Sequence, residues 1–170
     1  KKINEVLAFN LPVDYICTSH GVIWRKDPAQ IINKYMEWAA DYQENQITIV
    51  YDSMWENTRK MSEYIVQGIK QADSKVNIKV YNIAHSDKND VIIDIFKSKA
   101  VLIGSSTINN GILTSIAGLL EEMRGLKFKR KKASSFGSYG WSGEAVKMMN
   151  ESLQKAGFEV CVAADGEEAL

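Results

Sequence analysis

From Ile47 onward the chain alternates between short runs rich in β-branched residues and longer stretches with apolar residues at helical spacing. No other feature of the sequence restricts the fold so strongly. Residues 47–51, 76–81, 100–103, 132–136 and 158–162 read as strands. Residues 56–72, 112–123 and 143–156 read as helices, as does a stretch capped by Asp87 that carries Val91, Ile92, Ile95 and Phe96. This alternation predicts an α/β fold, a doubly wound five-stranded parallel sheet with right-handed crossovers. The second run alternates strictly, as an edge strand does, whereas Ala100 to Ile103 is continuously apolar and belongs mid-sheet. Gly125 and Gly157 read as helix ends, and residues 126–132 as a solvated basic connector. Residues 163–170 stop where a further crossover helix would begin, so that helix is expected to be missing.

A sheet of this kind binds ligands at the carboxyl ends of its strands, beside the first strand. Three unusual loops fall there. The first, Ser53, Met54, Trp55, Glu56, Asn57 and Thr58, joins a strand to a helix start. Its backbone N–H groups and the helix macrodipole favour an anion, and Ser53 and Thr58 add hydroxyl donors. It has none of the glycine spacing of a Walker or dinucleotide loop, and for the loop by itself ordinary helix capping fits equally well. The second, Ser105 to Gly111, offers Ser106, Thr107, Ile108, Asn109 and Asn110, whose amides suit a ring with donor and acceptor edges. The third, Gly137 to Gly143, carries Ser138, Tyr139 and Trp141 between glycines that let backbone approach a planar ligand. A phosphate, a polar ring edge and an aromatic stack together describe FMN.

The first 45 residues differ in pattern. Residues 1–10 read as the end of a helix broken by Pro12, residues 13–17 as a short strand, and Gly21 as a turn. Asp27 and Pro28 mark a helix start, as N-cap and first helical residue. Ile31, Ile32, Tyr35, Trp38, Ala39 and Tyr42 follow at helical spacing, a stripe expected to pack in a core. Cys17 and Cys161 lie in apolar runs and read as buried free thiols, which suits a reducing cytoplasm. Formal net charge is zero, which argues against a protein that coats nucleic acid, and no apolar run reaches membrane-spanning length. The basic run from Lys127 to Lys132 is too short to supply many phosphate contacts.

Residues 47–162 resemble the flavodoxin-like domain of the flavodiiron protein family, in particular its flavorubredoxin-type anaerobic nitric oxide reductases. The resemblance rests on Tyr51-Asp52-Ser53-Met54, on Thr107-Ile108-Asn109-Asn110, on the run from Phe136 to Gly143, and on Ala156-Gly157-Phe158. Residues 1–45 resemble the end of the metallo-β-lactamase-like module that precedes the flavin domain, through the run from Leu11 to Arg25, Asp27-Pro28 and the run from Trp38 to Tyr42. The resemblance implies a domain boundary near residue 45, the flavodoxin-like strand order 2-1-3-4-5, and FMN as cofactor. Residues 53–57 with Thr58 would hold the phosphate. Ser106, Thr107, Ile108, Asn109 and Asn110 would border the ring, and Ser138, Tyr139, Gly140 and Trp141 would close over it beside Gly143, with Trp141 against its face. His20 would match one ligand of the diiron centre in the full-length parent, an orphan here because the other ligands are not in this chain. The parent would be a homodimer or tetramer taking electrons from a rubredoxin, or a rubredoxin domain, and its NADH-dependent reductase, and reducing nitric oxide or oxygen. This chain alone would be an electron carrier. Glu56 stands where many flavodoxins have glycine, so its carboxylate is expected to face solvent.

Two other classes fit the fold. A flavin-dependent NAD(P)H:quinone reductase would oxidise nicotinamide unaided. A phospho-acceptor receiver domain wants an aspartate after the third strand, where this chain has Gly104, and an acidic pair after the first, where Asp52 stands alone.

Overall fold

The computed structural model describes residues 2–161. The chain divides into two compact units, Lys1–Tyr42 and Gln43–Leu170, a few residues before the expected boundary at 45.

The first unit contains helix α1 (Lys2–Leu7), strands β1 (Ile16–Cys17) and β2 (Ile23–Trp24), and helix α2 (Ala29–Ala39). β1 and β2 pair antiparallel around a turn in which Gly21 has φ +118°. A strand of two residues is too short to show alternation, so β2 leaves no mark in the sequence. Asp27 does not cap α2. Its φ is +74°, whereas an N-cap needs extended backbone, and Pro28 takes the cap position with no side-chain hydrogen bond. The aromatic stripe also departs from expectation. Ile31 is buried, but Tyr35 and Trp38 meet edge to face 5.5 Å apart and both remain exposed. Cys17 is exposed as well.

The second unit carries the long strands β3 (Glu44–Tyr51), β4 (Asn77–Asn82) and β5 (Ser98–Gly104), the rungs β6 (Thr107–Ile108) and β7 (Gly111–Ile112), then β8 (Lys132–Phe136) and β9 (Glu159–Val160). Its α-helices are α3 (Asn57–Ala72), α4 (Lys88–Lys97), α5 (Thr114–Leu126) and α6 (Glu144–Lys155). Five strands form one parallel sheet in the order β4-β3-β5-β8-β9. In terms of the expected strands this is 2-1-3-4-5, with the continuously apolar strand at the centre.

The pleat sends alternate residues to opposite faces. Val50, Val101, Ile103 and Ala133 face a core built with Val91 and Ile95 of α4, Ile116, Leu119, Leu120 and Met123 of α5, and Ala145, Met149 and Leu153 of α6. Ile47, Ile49, Tyr51 and Leu102 face the other way, against Met61, Ile65, Val66 and Ile69 of α3. Each fully buried aliphatic side chain contributes about 1.5–3 kcal/mol. Val162 and the expected missing helix after it lie outside the described residues.

Several boundaries moved for identifiable reasons. β3 begins at Glu44, earlier than expected, with Gln46 and Thr48 held inside the fold. Gln46 Nε2 donates to the Asp94 carbonyl and to Ser98 Oγ, both at 3.1 Å, and Thr48 Oγ1 lies 2.8 Å from Ser98 Oγ. The Tyr81 hydroxyl donates to the Asp94 carboxylate, which pushes the phenol up to about 12. Gly125 lies inside α5 rather than ending it; the stop is Lys127, at φ +51°. The following connector is not wholly solvated. Phe128 is buried beside Phe158, and buried Lys131 donates to the Ser98 carbonyl at 2.8 Å. Gly157 does end α6. At φ +95°, any Cβ there would stand 2.2 Å from the Phe128 carbonyl oxygen. Cys161 is exposed, just past the edge strand β9, so neither cysteine is a buried thiol.

Candidate functional site

β3 stops because Asp52 is pinned on both sides. Its N–H donates to the Gly104 carbonyl at 3.0 Å, and its carboxylate accepts from Ser53 N–H at 2.7 Å and from the Ser115 hydroxyl on α5. The pairing of Asp52 with Ser115, 63 residues apart, leaves no mark in the sequence. One consequence is that the Ser53 N–H is occupied. The Ser53 Oγ is not: it is buried and has no hydrogen-bond partner.

The loop then enters α3 through Glu56, whose φ of +64° is left-handed and which supplies no side-chain cap. The first backbone hydrogen bond of the helix runs from Lys60 N–H to the Glu56 carbonyl at 3.0 Å. The N–H groups before Lys60 have no intrahelical acceptor and sit at the positive end of the helix. Glu56 turns outward, 61% exposed at its side chain, and pairs with Arg59, which also pairs with Glu63. The guanidinium is thus held by two carboxylates. Burial pushes the phenol of Tyr51 above its ordinary value.

Thr58 joins the three loops. Its Oγ1 lies 3.1 Å from Ser106 Oγ and 3.1 Å from Ser138 Oγ, and those two are 3.3 Å apart. Three hydroxyls carry three protons, and closing this triangle uses all of them. The Thr58 hydroxyl is therefore committed inward, instead of standing free as an anion donor. Backbone contacts tighten the junction: Ser105 N–H donates to the Phe136 carbonyl at 3.1 Å and Thr107 N–H to the Ser138 carbonyl at 2.8 Å. Between them Gly137 lies so close that a Cβ would come within 2.2 Å of the Ser105 carbonyl oxygen.

The second loop is a hairpin. β6 and β7 pair antiparallel across Asn109 and Asn110, at φ +49° and +56°, the left-handed pair of a type I′ turn. Asn-Asn-Gly is the signal for it. A crevice of about 180 Å³ opens between this hairpin and the third loop, lined by Thr107, Asn109, Asn110, Gly140, Trp141 and Ser142. Ser142, absent from the sequence-derived set, reaches Asn110 Oδ1 at 3.5 Å. Tyr139 turns aside against Gly143. Trp141 is 95% exposed and Trp55 is 80% exposed, so two indoles stand in solvent on loops of this sheet edge. Ile108 is half-buried in the hairpin and does not line the crevice. His20 is exposed in the β1–β2 turn of the first unit; among the described residues no group of three or more His, Cys, Asp or Glu side chains comes together.

A parallel sheet in this order, with an uncapped helix start and a polar crevice lined by the Trp141 indole at its carboxyl edge, is a flavodoxin-like architecture. The sequence matches the flavodoxin family over residues 49–169, and the chain belongs to that family. The anaerobic nitric oxide reductase flavorubredoxin of Klebsiella pneumoniae is 57% identical over 162 residues, covering 95% of this chain and 34% of that protein. Among solved structures, rubredoxin oxygen:oxidoreductase from Desulfovibrio gigas superposes on 94% of this chain and 40% of its own, with TM-score 0.86 and 34% identity. The flavodiiron protein of Giardia intestinalis covers 94% of this chain and 42% of its own, with TM-score 0.80 and 28% identity. The chain spans about a third of the length of the curated relatives it matches. Among the described residues no helix is long and apolar enough to cross a membrane.

Proposed function

We propose that residues 46–170 form an FMN-binding electron-transfer domain. The observation that carries this reading is the buried Ser53 hydroxyl left without a partner beside the uncapped start of α3. A phosphate monoester supplies the acceptors that this hydroxyl and the N–H groups of Met54 to Thr58 lack. The crevice between Asn109, Asn110 and Trp141 offers amide donors and acceptors to a ring edge and an indole to its face. FMN, when bound, takes up and releases electrons one or two at a time. The chain's part is to hold the phosphate without a fixed cation, orient the ring and leave one edge accessible to partners.

Within a parent about three times as long, electrons would arrive from rubredoxin or a fused rubredoxin domain, itself reduced by an NADH-dependent reductase. They would pass to a diiron site that reduces nitric oxide or oxygen in a homodimeric or tetrameric cytoplasmic enzyme. Residues 1–45 would close the preceding metallo-β-lactamase-like module, with His20 as one metal ligand. The first unit favours this, since Val6, Leu7, Phe9, Leu11, Val22 and Ile23 are all exposed and Ile31 is its one buried core residue among those described. A surface that apolar needs a partner.

Purified protein is expected to be yellow and to release FMN on denaturation. Ser53→Ala removes the unpartnered donor and weakens FMN about tenfold by fluorescence titration, since a hydrogen bond to a charged group is worth about 1.5–3 kcal/mol, the lower end of which is tenfold. A colourless protein that takes up no added FMN overturns the proposal. Glu56→Gly removes a carboxylate from the phosphate loop and suits the left-handed backbone. FMN affinity should rise several-fold at low salt, and the gain should shrink at about 1 M salt, where screening reaches only about 3 Å.

A further inference from the structure

On the reading that the site binds FMN, we propose that Ser138 is a positioning residue for the phosphate end of the site, acting through Thr58, although it belongs to the ring-covering loop. Its place in sequence, three residues before Trp141, assigns it to the ring. Its hydroxyl points elsewhere: it lies 3.1 Å from Thr58 Oγ1 and 3.3 Å from Ser106 Oγ. Thr58 is the second residue of α3 and is fully buried. Its backbone N–H is one of those left open at the helix start. Holding the Thr58 side chain therefore holds the first turn of α3, and with it the direction in which those N–H groups point.

Ser138 itself is fixed from behind. Its carbonyl accepts from Thr107 N–H at 2.8 Å, and Gly137 before it presses against the Ser105 carbonyl, so the hydroxyl has a rigid base. The α3 start has no capping side chain of its own, because Glu56 makes no cap hydrogen bond and pairs outward with Arg59. The Thr58–Ser138 link substitutes for that missing restraint, supplied from the loop after β8 across the sheet edge. Without it, Thr58 keeps Ser106, but the α3 start loses its tie to the third loop.

The test compares FMN with riboflavin, which carries the same ring and lacks the phosphate. Both are titrated against the full chain freed of flavin, with far-ultraviolet circular dichroism showing that each variant is folded. Ser138→Ala removes the contacts to both Thr58 and Ser106; it is expected to weaken FMN about tenfold, through loss of the Thr58 hydrogen bond at the upper end of the usual range, and to leave riboflavin within twofold of wild type. Trp141→Ala, by contrast, weakens both flavins by the same factor. In a Thr58→Val background, Ser138→Ala should cost FMN nothing further, since the partner through which it acts is gone. Equal losses for the two flavins, no loss for FMN, or additive losses in the double variant each overturn the role assigned to Ser138 while leaving FMN binding intact. A wild-type chain that takes up neither flavin removes the FMN reading, and this inference with it.

Discussion

Gly137→Ala should cost the protein about 2 kcal/mol of stability and lower FMN affinity about thirtyfold. The added Cβ would stand 2.2 Å from the Ser105 carbonyl oxygen, and that oxygen is backbone, so no flexible side-chain end can yield. The two strand ends must separate instead. Separation strains the hydrogen bonds on either side, Ser105 N–H to the Phe136 carbonyl and Thr107 N–H to the Ser138 carbonyl, each worth about 1 kcal/mol. The same movement pulls Ser138 from Thr58 and widens the crevice beside Trp141, so the phosphate and ring ends loosen together. Two kcal/mol spent on reforming the junction before binding corresponds to about thirtyfold in affinity. Denaturant melts of the flavin-free protein and FMN titration check the two effects separately. A variant that keeps wild-type FMN affinity would show that the loops bind flavin independently.

Trp141→Ala should leave the flavin-free protein within about 0.5 kcal/mol of wild type and still weaken FMN by about 1–3 kcal/mol. An indole 95% exposed contributes almost nothing to folding. Laid against a planar ring it contributes what an aromatic platform typically does for a stacked base, about 1–3 kcal/mol. Bound FMN should also fluoresce more strongly once the stacked quencher is gone. Unchanged fluorescence would assign the covering role to another side chain, with the 80% exposed Trp55 the first to try.

Much of this was legible in the residues. Hydrophobic periodicity placed all five sheet strands and marked Ala100 to Ile103 as central, since a strand buried on both faces reads as a continuous apolar run. The loop at Ser53 to Thr58 was visible as a strand–polar–helix junction, and the outward pose of Glu56 followed from the family resemblance, since a carboxylate facing the implied phosphate would repel it. The misses share one cause. Gln46 read as lying outside the first strand because its partners, Asp94 and Ser98, lie about fifty residues away. Lys131 read as solvated because nothing local predicts that its amine meets the Ser98 carbonyl. Gly125 read as a helix stop because glycine commonly is one, yet Lys127 took the left-handed position.

The Thr58 hydroxyl shows the division most clearly. Its place at a helix start beside a strand end, and the hydroxyl-rich loops after the third and fourth strands, are properties of the sequence alone, set by local propensity and by the period of the apolar residues. That the hydroxyl turns inward, to Ser106 and Ser138, is a tertiary outcome. Parallel strands bring their carboxyl ends together only once the crossovers are packed, and a buried hydroxyl then takes whichever partners the assembled edge presents.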